Sequence, residues 1–313
     1  MRIYPVVKVT QYDYCDFKLD LNSKNNMANY QYLAIGGAME LSKDNPLIKL
    51  FIEKSGGKRG IITILPTASD FGRQVGTLYL DAFRELCNDV EYFLIEKRSD
   101  AENPNLLAHL EKSTGVFFTG GDQLKITSLL GGSSVMKFVR KAKENGVFIA
   151  GTSAGASAMS ETMISWGPSD SMQKGSLQMS PGMGLVRKLV IDSHFVKRGR
   201  ISRLFHLIAQ HPGTFGVGLA EDTGILIDVR EEEPKFLVVG SRQVTLVDGH
   251  GITHTNIAKV LENHPFSLLN IQVHILGPGY KYDCNTSQIK IPIAPSPLES
   301  KTVSKVSELP FKP

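Results

Sequence analysis

The 313-residue chain has little cysteine and no long apolar run. Its three cysteines, Cys15, Cys87 and Cys284, are widely separated and odd in number, so they predict neither a disulfide framework nor a metal site. The most apolar stretch, residues 146–159, is too short and too rich in Gly, Ser and Thr to cross a bilayer. The first residues lack a charged start followed by an apolar segment. We therefore expect a cytoplasmic protein without a signal peptide.

The chain also lacks a large excess of positive or negative residues. The chain has 35 Lys and Arg against 31 Asp and Glu, a net charge of +4, and no basic block. A nucleic-acid-binding protein would need basic residues clustered on one face, so this class is not expected. The 42% of hydrophobic residues suffice for one large core or two smaller ones, which excludes disorder over most of the chain. These features predict a globular protein with neither nucleic acid nor membrane as a partner.

The two ends differ in composition from the rest. Residues 1–31 are polar and are interpreted as an extension, with a candidate strand at residues 6–10. Residues 286–313 carry five prolines, which fix φ and remove backbone donors, so they predict an extended or disordered tail. Residues 32–285 are expected to form one domain.

Short apolar runs alternate with helical periodicity in the first half of this domain. Strands are predicted at Tyr32–Ile35, 60–65, 90–95, Gly115–Phe118 and 147–149. Helices are predicted at 46–55, 74–88, 105–112, Gln123–Leu130 and 134–144. The alternation predicts an α/β three-layer sandwich, with a mostly parallel sheet and helices on both faces. Beyond about residue 216 the strands are closely spaced (224–228, 235–239, 243–247 and 271–276), which predicts an antiparallel extension of the same sheet.

The motif Gly151-Thr152-Ser153-Ala154-Gly155 is the strongest local signal. It has a glycine two residues before and two after a serine, between a predicted strand and a helix, which is the pattern of a nucleophile elbow. In such a turn the serine Oγ is exposed at the top of the sheet. An ordinary Gly-rich turn is the alternative, and we favour Ser153 as a nucleophile.

A second Gly-rich turn, residues 119–123, ends the preceding strand. Adjacent strand ends of a parallel sheet lie side by side, so the N–H groups of Gly121 and Ala154 could converge on one oxygen as an oxyanion hole. The alternative interpretation is a helix start capped by Thr119 or Asp122. The two interpretations are compatible.

A catalytic serine needs a base that a third group orients. Among eight histidines we favour His194, which lies at the end of an apolar segment, residues 190–195, just before a cluster of arginines. Glu221 and its neighbour Asp222 follow another apolar run, where an acid could orient His194. Asp170 is a weaker candidate for that role.

Eight stretches taken together resemble the cyanophycinase family of serine peptidases, relatives of the aspartyl dipeptidases on a class I glutamine amidotransferase-like sheet. They are LAIGGAME, ILPTAS, FFTGGDQ, AGTSAGASAMSETMI, MSPGMGLV, IDSHFVKRGRISRL, GVGLAEDTGILI and VHILGPGYKYD, and they occur in the family's order across residues 32–285. The resemblance implies that Ser153 is the nucleophile, His194 the base and Glu221 the orienting acid. This order differs from that of α/β-hydrolases, in which the acid precedes the histidine.

The resemblance also implies a pocket and a substrate. Gln123, Asp192, Arg198, Arg200 and Arg203 fall on the family's substrate-binding positions. The family cleaves cyanophycin, a polyaspartate chain with arginine on each β-carboxyl, into β-aspartyl-arginine dipeptides from the chain end. The arginines could hold free carboxylates, and Asp192 could pair with a guanidinium of the substrate.

One position departs from the family. Ser193 stands where the cyanophycin-degrading members usually carry Gln. A serine is shorter and cannot span the same gap, so recognition of the second dipeptide unit, or of arginine itself, is open at this position. We expect Arg198, Arg200 and Arg203 to begin a helix directly after His194, and we favour Arg200 as the contact to a substrate carboxylate.

The sequence leaves three other interpretations open. The first is an α-aspartyl dipeptidase, and the second is a non-catalytic peptide-binding protein on the same fold. The third is an α/β-hydrolase using Ser153, Asp222 and His254. His206 and His211 flank a short apolar helix and are expected at the surface. We expect a peptide substrate, no cofactor, no metal and a homodimer as the candidate assembly.

Overall fold

The computed structural model describes residues 30–292. The candidate strand at residues 6–10 and most of the predicted proline-rich tail lie outside these residues. Within them, no helix has both the length and the apolar character needed to cross a membrane.

Seventeen strands and seven α-helices follow one another along residues 30–292. The strands are β1 (Tyr32–Ile35), β2 (Ile61–Leu65), β3 (Asp89–Tyr92), β4 (Gly115–Phe118), β5 (Phe148–Thr152), β6 (Thr162–Trp166), β7 (Gln178–Pro181), β8 (Leu189–Asp192), β9 (Phe215–Leu219), β10 (Thr223–Asp228), β11 (Lys235–Gly240), β12 (Val244–Asp248), β13 (His254–Thr255), β14 (Leu268–Leu269), β15 (Gln272–Leu276), β16 (Lys281–Asp283) and β17 (Gln288–Lys290). The helices are α1 (Pro46–Lys54), α2 (Gly72–Arg84), α3 (Pro104–Leu110), α4 (Gln123–Leu130), α5 (Ser134–Lys141), α6 (Ala154–Ser157) and α7 (Ile201–Gln210).

Four of the helices begin at side-chain caps that are visible in the sequence. Asn45, Asn103, Asp122 and Ser133 each accept a hydrogen bond from a backbone N–H of the first turn, of α1, α3, α4 and α5 respectively. Such caps satisfy donors that have no partner within the helix. In α1 and α3 a proline follows the cap, where its missing N–H costs nothing.

The large sheet has nine strands in the order β17-β16-β11-β10-β1-β5-β4-β2-β3. The five strands from β1 to β3 are parallel, and the four from β10 to β17 are antiparallel. Apolar residues of the parallel strands alternate between two cores, one covered by α1 and α2 and the other by α3, α4 and α5. The predicted three-layer α/β fold with antiparallel C-terminal strands is therefore confirmed.

A second sheet corrects part of the predicted topology. Its order is β15-β12-β9-β8, with β8 and β9 parallel and β12 antiparallel to both of its neighbours. The strands predicted at 243–247 and 271–276 belong to this sheet and do not extend the first one. Hydrophobic periodicity indicates that a segment is a strand, but it does not specify the partner strand. In addition, β17 pairs with β16, so the large sheet continues past residue 285.

The two sheets meet at Gly36 and Gly37, directly after β1. The carbonyl of Gly36 accepts the N–H of His194 at 2.8 Å, and the carbonyl of Gly37 accepts the N–H of Asp222 at 3.0 Å. The carbonyl of Ile35 accepts the N–H of Ser153 at 2.9 Å. These bonds bring the turns that follow β5, β8 and β9 to one place. A Cβ on Gly36 would lie 2.0 Å from the Ala220 carbonyl oxygen, so only glycine allows this approach.

Candidate active site

Ser153 lies in the sharp turn between β5 and α6. Its backbone has φ 53° and ψ −112°, a conformation that a residue with a side chain rarely adopts. A Cβ on Gly151 would lie 2.5 Å from the backbone of Gly155, and a Cβ on Gly155 would lie 2.4 Å from the Phe118 carbonyl oxygen. Both glycines of the predicted motif are therefore required by close backbone packing.

His194 follows β8 and approaches Ser153 from the second sheet. Its Nε2 lies 3.0 Å from Ser153 Oγ, which is hydrogen-bonding distance. A Cβ on Gly37 would lie 2.4 Å from His194 Nε2, and Gly37 has φ 97°. Glycine at this position leaves the space that the imidazole occupies.

Glu221 follows β9 and lies on the far side of the same imidazole. Its Oε1 is 2.8 Å from His194 Nδ1, and its Oε2 is 3.6 Å from Lys197 Nζ. The hydrogen bond from His194, together with the Lys197 charge, lowers the pKa of Glu221, so the carboxylate stays ionised near neutral pH.

Asp222 points away from the histidine. It accepts hydrogen bonds from Asn45 Nδ2 and Ser241 Oγ, both at 2.9 Å, and so connects α1 to the turn after β11. Because His194 and not His254 contacts Ser153, the alternative site of Ser153, Asp222 and His254 is wrong. Glu221, and not Asp170, is the acid that contacts His194.

Ser153 opens into a cavity of about 710 Å³, a volume suited to a small organic ligand or a short peptide. All the residues predicted for the oxyanion hole and for substrate binding line this cavity. They are Gly121, Ala154, Gln123, Asp192, Ser193, Arg198, Arg200 and Arg203.

The Gly121 and Ala154 amides lie beside Ser153 in the lining of the cavity. Within residues 30–292, neither N–H donates a hydrogen bond to the protein. Gly121 has φ 143°, and a Cβ there would lie 2.0 Å from the Ala68 carbonyl oxygen. The cap of α4 is Asp122, whose Oδ1 accepts from the Leu124 N–H at 2.8 Å. The predicted helix start is thus present, and the Gly121 and Ala154 amides, which have no partner in the described residues, stay candidates for the oxyanion hole.

Asp192, which was expected to pair with a guanidinium of the substrate, is bound by two arginines of the chain itself. Its Oδ1 accepts from Arg200 Nη1 at 3.0 Å and from Arg203 Nη2 at 3.3 Å, and its Oδ2 lies 2.9 Å from Arg203 Nε. Asp192 is 2% exposed and Arg203 6% exposed. Burial raises the pKa of Asp192, and the two guanidinium groups oppose that rise. A buried carboxylate of this kind needs cationic partners, and these come from the chain itself.

Arg200 and Arg203 are further held by backbone carbonyls. Arg200 Nη1 donates to the Ser193 carbonyl at 2.8 Å, and Arg203 Nη1 donates to the Gly167 carbonyl at 3.1 Å. Arg198 differs, because among residues 30–292 its guanidinium makes no ion pair or hydrogen bond with the protein. The helix predicted to begin with these arginines is α7. It starts at Ile201, so Arg203 is the only one of the three arginines that lies within it.

Gln123 and Ser193 line the cavity, and each of them also forms hydrogen bonds within the protein. Gln123 Nε2 donates to the Ile164 carbonyl at 2.9 Å and to the Ser165 carbonyl at 3.3 Å. Ser193 is 4% exposed, and its carbonyl accepts from Arg200. Gln123 thereby attaches β6 to the start of α4.

The sequence analysis missed the wall formed by β6 and β7. Trp166 and Gln178 pair across these strands, and both line the cavity. One feature of the sequence could have indicated this wall: the chain's only tryptophan, Trp166, stands at the end of an apolar run and is followed by a polar segment. His206 was also misassigned, because it is 1% exposed and its ring centroid lies 5.0 Å from that of Phe266.

One group of three side chains in residues 30–292 has the spacing of a metal site. The ligand atoms of Asp89, Glu91 and His109 lie within 4.8 Å of one another. None of the three lines the cavity that contains Ser153.

Comparison with known proteins identifies the family. Peptidase family S51 matches residues 32–233. The chain is 35% identical over 261 residues to a cyanophycinase of Synechococcus elongatus, an alignment that covers 82% of this chain and 80% of the relative. It is 34% identical over 259 residues to a cyanophycinase of Geminocystis herdmanii strain PCC 6308, covering 82% and 94% of the two chains.

A solved structure supports the fold. The crystal structure of a peptidase from an acI-B1 actinobacterium superposes with a TM-score of 0.57 at 20% identity, covering 78% of this chain and 96% of that one. With a family match over most of the chain and relatives above 30% identity along four-fifths of it, the chain belongs to peptidase family S51 and is a serine-type peptidase similar to the cyanophycinases.

Proposed function

We propose that this peptidase hydrolyses cyanophycin-like chains of β-aspartyl-arginine units from the chain end, with Ser153, His194 and Glu221 as its catalytic residues. The observation that carries the proposal is the continuous row from Ser153 Oγ through His194 to Glu221, with contacts of 3.0 and 2.8 Å, at the wall of an arginine-lined cavity. Similarity to cyanophycinases along most of the chain supports the choice of substrate.

In the first step Ser153 Oγ attacks the scissile carbonyl carbon while His194 Nε2 takes the hydroxyl proton. The Nδ1–H of His194 donates to Glu221, which fixes the tautomer whose Nε2 accepts a proton and stabilises the imidazolium that forms. The negative charge that develops on the substrate oxygen is accepted by the N–H groups of Gly121 and Ala154.

The tetrahedral intermediate then collapses to an ester on Ser153. His194 passes its proton to the departing amine, which leaves with a free amino terminus. A water molecule attacks the ester with His194 again as base, the aspartyl carboxylate is released, and Ser153 regains its proton. Apart from water and the substrate, every group in these reaction steps is a side chain or an amide of the protein, so we expect hydrolysis to persist in the presence of a chelator.

The substrate carries one free α-carboxylate on each arginine, and we assign Arg198 to bind one of them. Its guanidinium lines the cavity without a protein partner in the described part of the chain, whereas Arg200 and Arg203 are occupied by Asp192. A guanidinium can hold a carboxylate through two parallel hydrogen bonds. The guanidinium without a protein partner supports Arg198, in place of the expected Arg200, as the carboxylate contact in this proposal.

The test is incubation with cyanophycin, with synthetic tetramers of β-aspartyl-arginine units and with α- and β-aspartyl dipeptides, followed by mass spectrometry of the products. We expect β-aspartyl-arginine dipeptide from cyanophycin and from the tetramer, with or without chelator. Hydrolysis of α-aspartyl dipeptides alone would contradict the proposed substrate and favour the dipeptidase interpretation.

A further inference from the structure

Trp166 lies on the wall of the cavity with its side chain largely free. The residue is 59% exposed, although it is the only tryptophan of the chain and ends a strand of the fold. In the described part of the chain, no aromatic ring pairs with it and no Lys or Arg lies over it. Among the described residues that line the cavity, it is the only aromatic one.

The backbone around Trp166 is held in place on both sides. Gln123 Nε2 donates to the carbonyl of Ser165, and Arg203 Nη1 donates to the carbonyl of Gly167. The pairing of β6 with β7 is irregular between Ile164 and Trp166, and a bulge of this kind redirects a side chain. The indole is therefore presented to the cavity by a fixed backbone, at the expense of its own burial.

The charges around the cavity favour a cation at the indole. Arg198, Arg200 and Arg203 repel a positively charged group, and the Asp192 carboxylate is already occupied by Arg200 and Arg203. The other acid of the lining, Asp122, caps α4 by accepting the Leu124 N–H. The face of an indole is electron-rich and attracts planar cations, above all guanidinium groups. When Arg198 binds the carboxylate of a substrate, the Trp166 indole is thus the aromatic surface in the cavity that can attract the substrate's guanidinium group.

We propose that Trp166 is a specificity-determining residue that stacks on the guanidinium group of an arginine side chain of the substrate. The inference rests on the proposed function, because it assigns one subsite of that substrate. It concerns selection among side chains, and the chemistry at Ser153 does not depend on it.

The kinetic test compares two synthetic tetramers, one of β-aspartyl-arginine and one of β-aspartyl-citrulline, whose side chain is planar and of the same shape but neutral. We expect Trp166→Leu to raise KM for the arginine tetramer about tenfold, the size of a partly desolvated cation–π contact, and to reduce the preference for arginine over citrulline. Trp166→Phe should give an intermediate KM, because a smaller ring attracts cations less. Phe71→Leu replaces another exposed aromatic residue, 67% exposed and outside this cavity, and should change neither KM. An unchanged preference in Trp166→Leu would overturn the inference.

A binding test separates this inference from the proposed function. In Ser153→Ala, which cannot turn over, Trp166 is the only source of tryptophan emission. Titration with the arginine tetramer should change that emission saturably and at lower concentration than the citrulline tetramer. Binding detected by calorimetry without any change in emission, or no binding of the arginine tetramer at all, would contradict the role of Trp166. If the wild type hydrolyses neither tetramer, the proposed function fails, and this titration still decides the inference.

Discussion

Two groups of charged residues beside the same cavity are built for different tasks. The proposed catalytic row, Ser153, His194 and Glu221, ends on a hydroxyl that faces the cavity. The arginine cluster, formed by Asp192 with Arg200 and Arg203, is held together inside the protein because both guanidinium groups bind the one carboxylate. Both groups depend on the end of β8, which supplies Asp192 and precedes His194. The difference shows that charged residues close together beside one cavity can have different surroundings: Arg200 and Arg203 are bound by the scaffold, whereas Arg198 keeps a guanidinium that we propose for substrate binding.

The largest effect is expected from breaking the catalytic row. We expect His194→Ala to reduce turnover of the tetramer by about 10⁴-fold, because nothing else accepts the serine proton, with the fold retained. His254→Ala is the matched control, since His254 is exposed in β13, and it should keep wild-type kinetics. Steady-state rates, with circular dichroism as a check on folding, measure both. Loss of activity in the His254 variant alone would contradict the assigned base.

Opening the arginine cluster should affect stability more than chemistry. Asp192→Ala leaves the buried guanidinium of Arg203 without its carboxylate, so we expect the free energy of unfolding to fall by about 3–5 kcal/mol. Arg198→Ala, at an exposed position, should change it by no more than about 0.5 kcal/mol. Urea denaturation measures both variants. Equal stability of the two would show that Asp192 is not the centre of a structural cluster.

A conservative change separates Arg198 from Arg200. Lysine keeps the charge but cannot form two parallel hydrogen bonds, so we expect Arg198→Lys to raise KM for the tetramer about tenfold without a change in stability. Arg200→Lys should instead lower stability, because its contacts go to Asp192 and the Ser193 carbonyl. Kinetics together with urea midpoints measure both variants. A wild-type KM in Arg198→Lys would show that another residue binds the substrate carboxylate.

The smallest effect concerns a buried histidine on the same helix as Arg203. Burial lowers the pKa of His206, so the folded protein holds it neutral. The unfolded chain, with an ordinary histidine pKa of about 6.5, binds the proton first. The free energy of unfolding should therefore fall as the pH drops below about 6.5, and His206→Leu should show a smaller fall between pH 7 and pH 5. Identical pH dependence in the two proteins would exclude this contribution.

The proximity of Ser153, His194 and Glu221 could be predicted because each of them follows a recognisable strand. The elbow around Ser153 is a local motif whose glycines are required by backbone packing. His194 was favoured because it ends an apolar segment, and the family resemblance selected Glu221 over its neighbour Asp222. The arginine cluster could not be predicted in the same way. Which guanidinium turns inward to Asp192 depends on where α7 begins and on the carbonyls of Ser193 and Gly167, and neither is encoded in the spacing of the arginines.

The fold shows the same limit. Strands β1 and β4 and helix α4 have the bounds predicted from periodicity and capping. The assignment of β12 and β15 to a second sheet was missed, because all four C-terminal strands predicted there show similar apolar patterns and differ only in their partners. The hairpin of β6 and β7 was missed as well, and with it the position of Trp166.

The most direct test of the catalytic assignment is the Ser153→Ala variant, assayed on cyanophycin and on the β-aspartyl-arginine tetramer. Removal of Oγ takes away the attacking atom and leaves the Gly121 and Ala154 amides and Arg198 in place. The account predicts that the variant folds, binds the tetramer and releases no β-aspartyl-arginine dipeptide in a routine assay. Release of the dipeptide at the wild-type rate by a correctly folded variant would contradict the account.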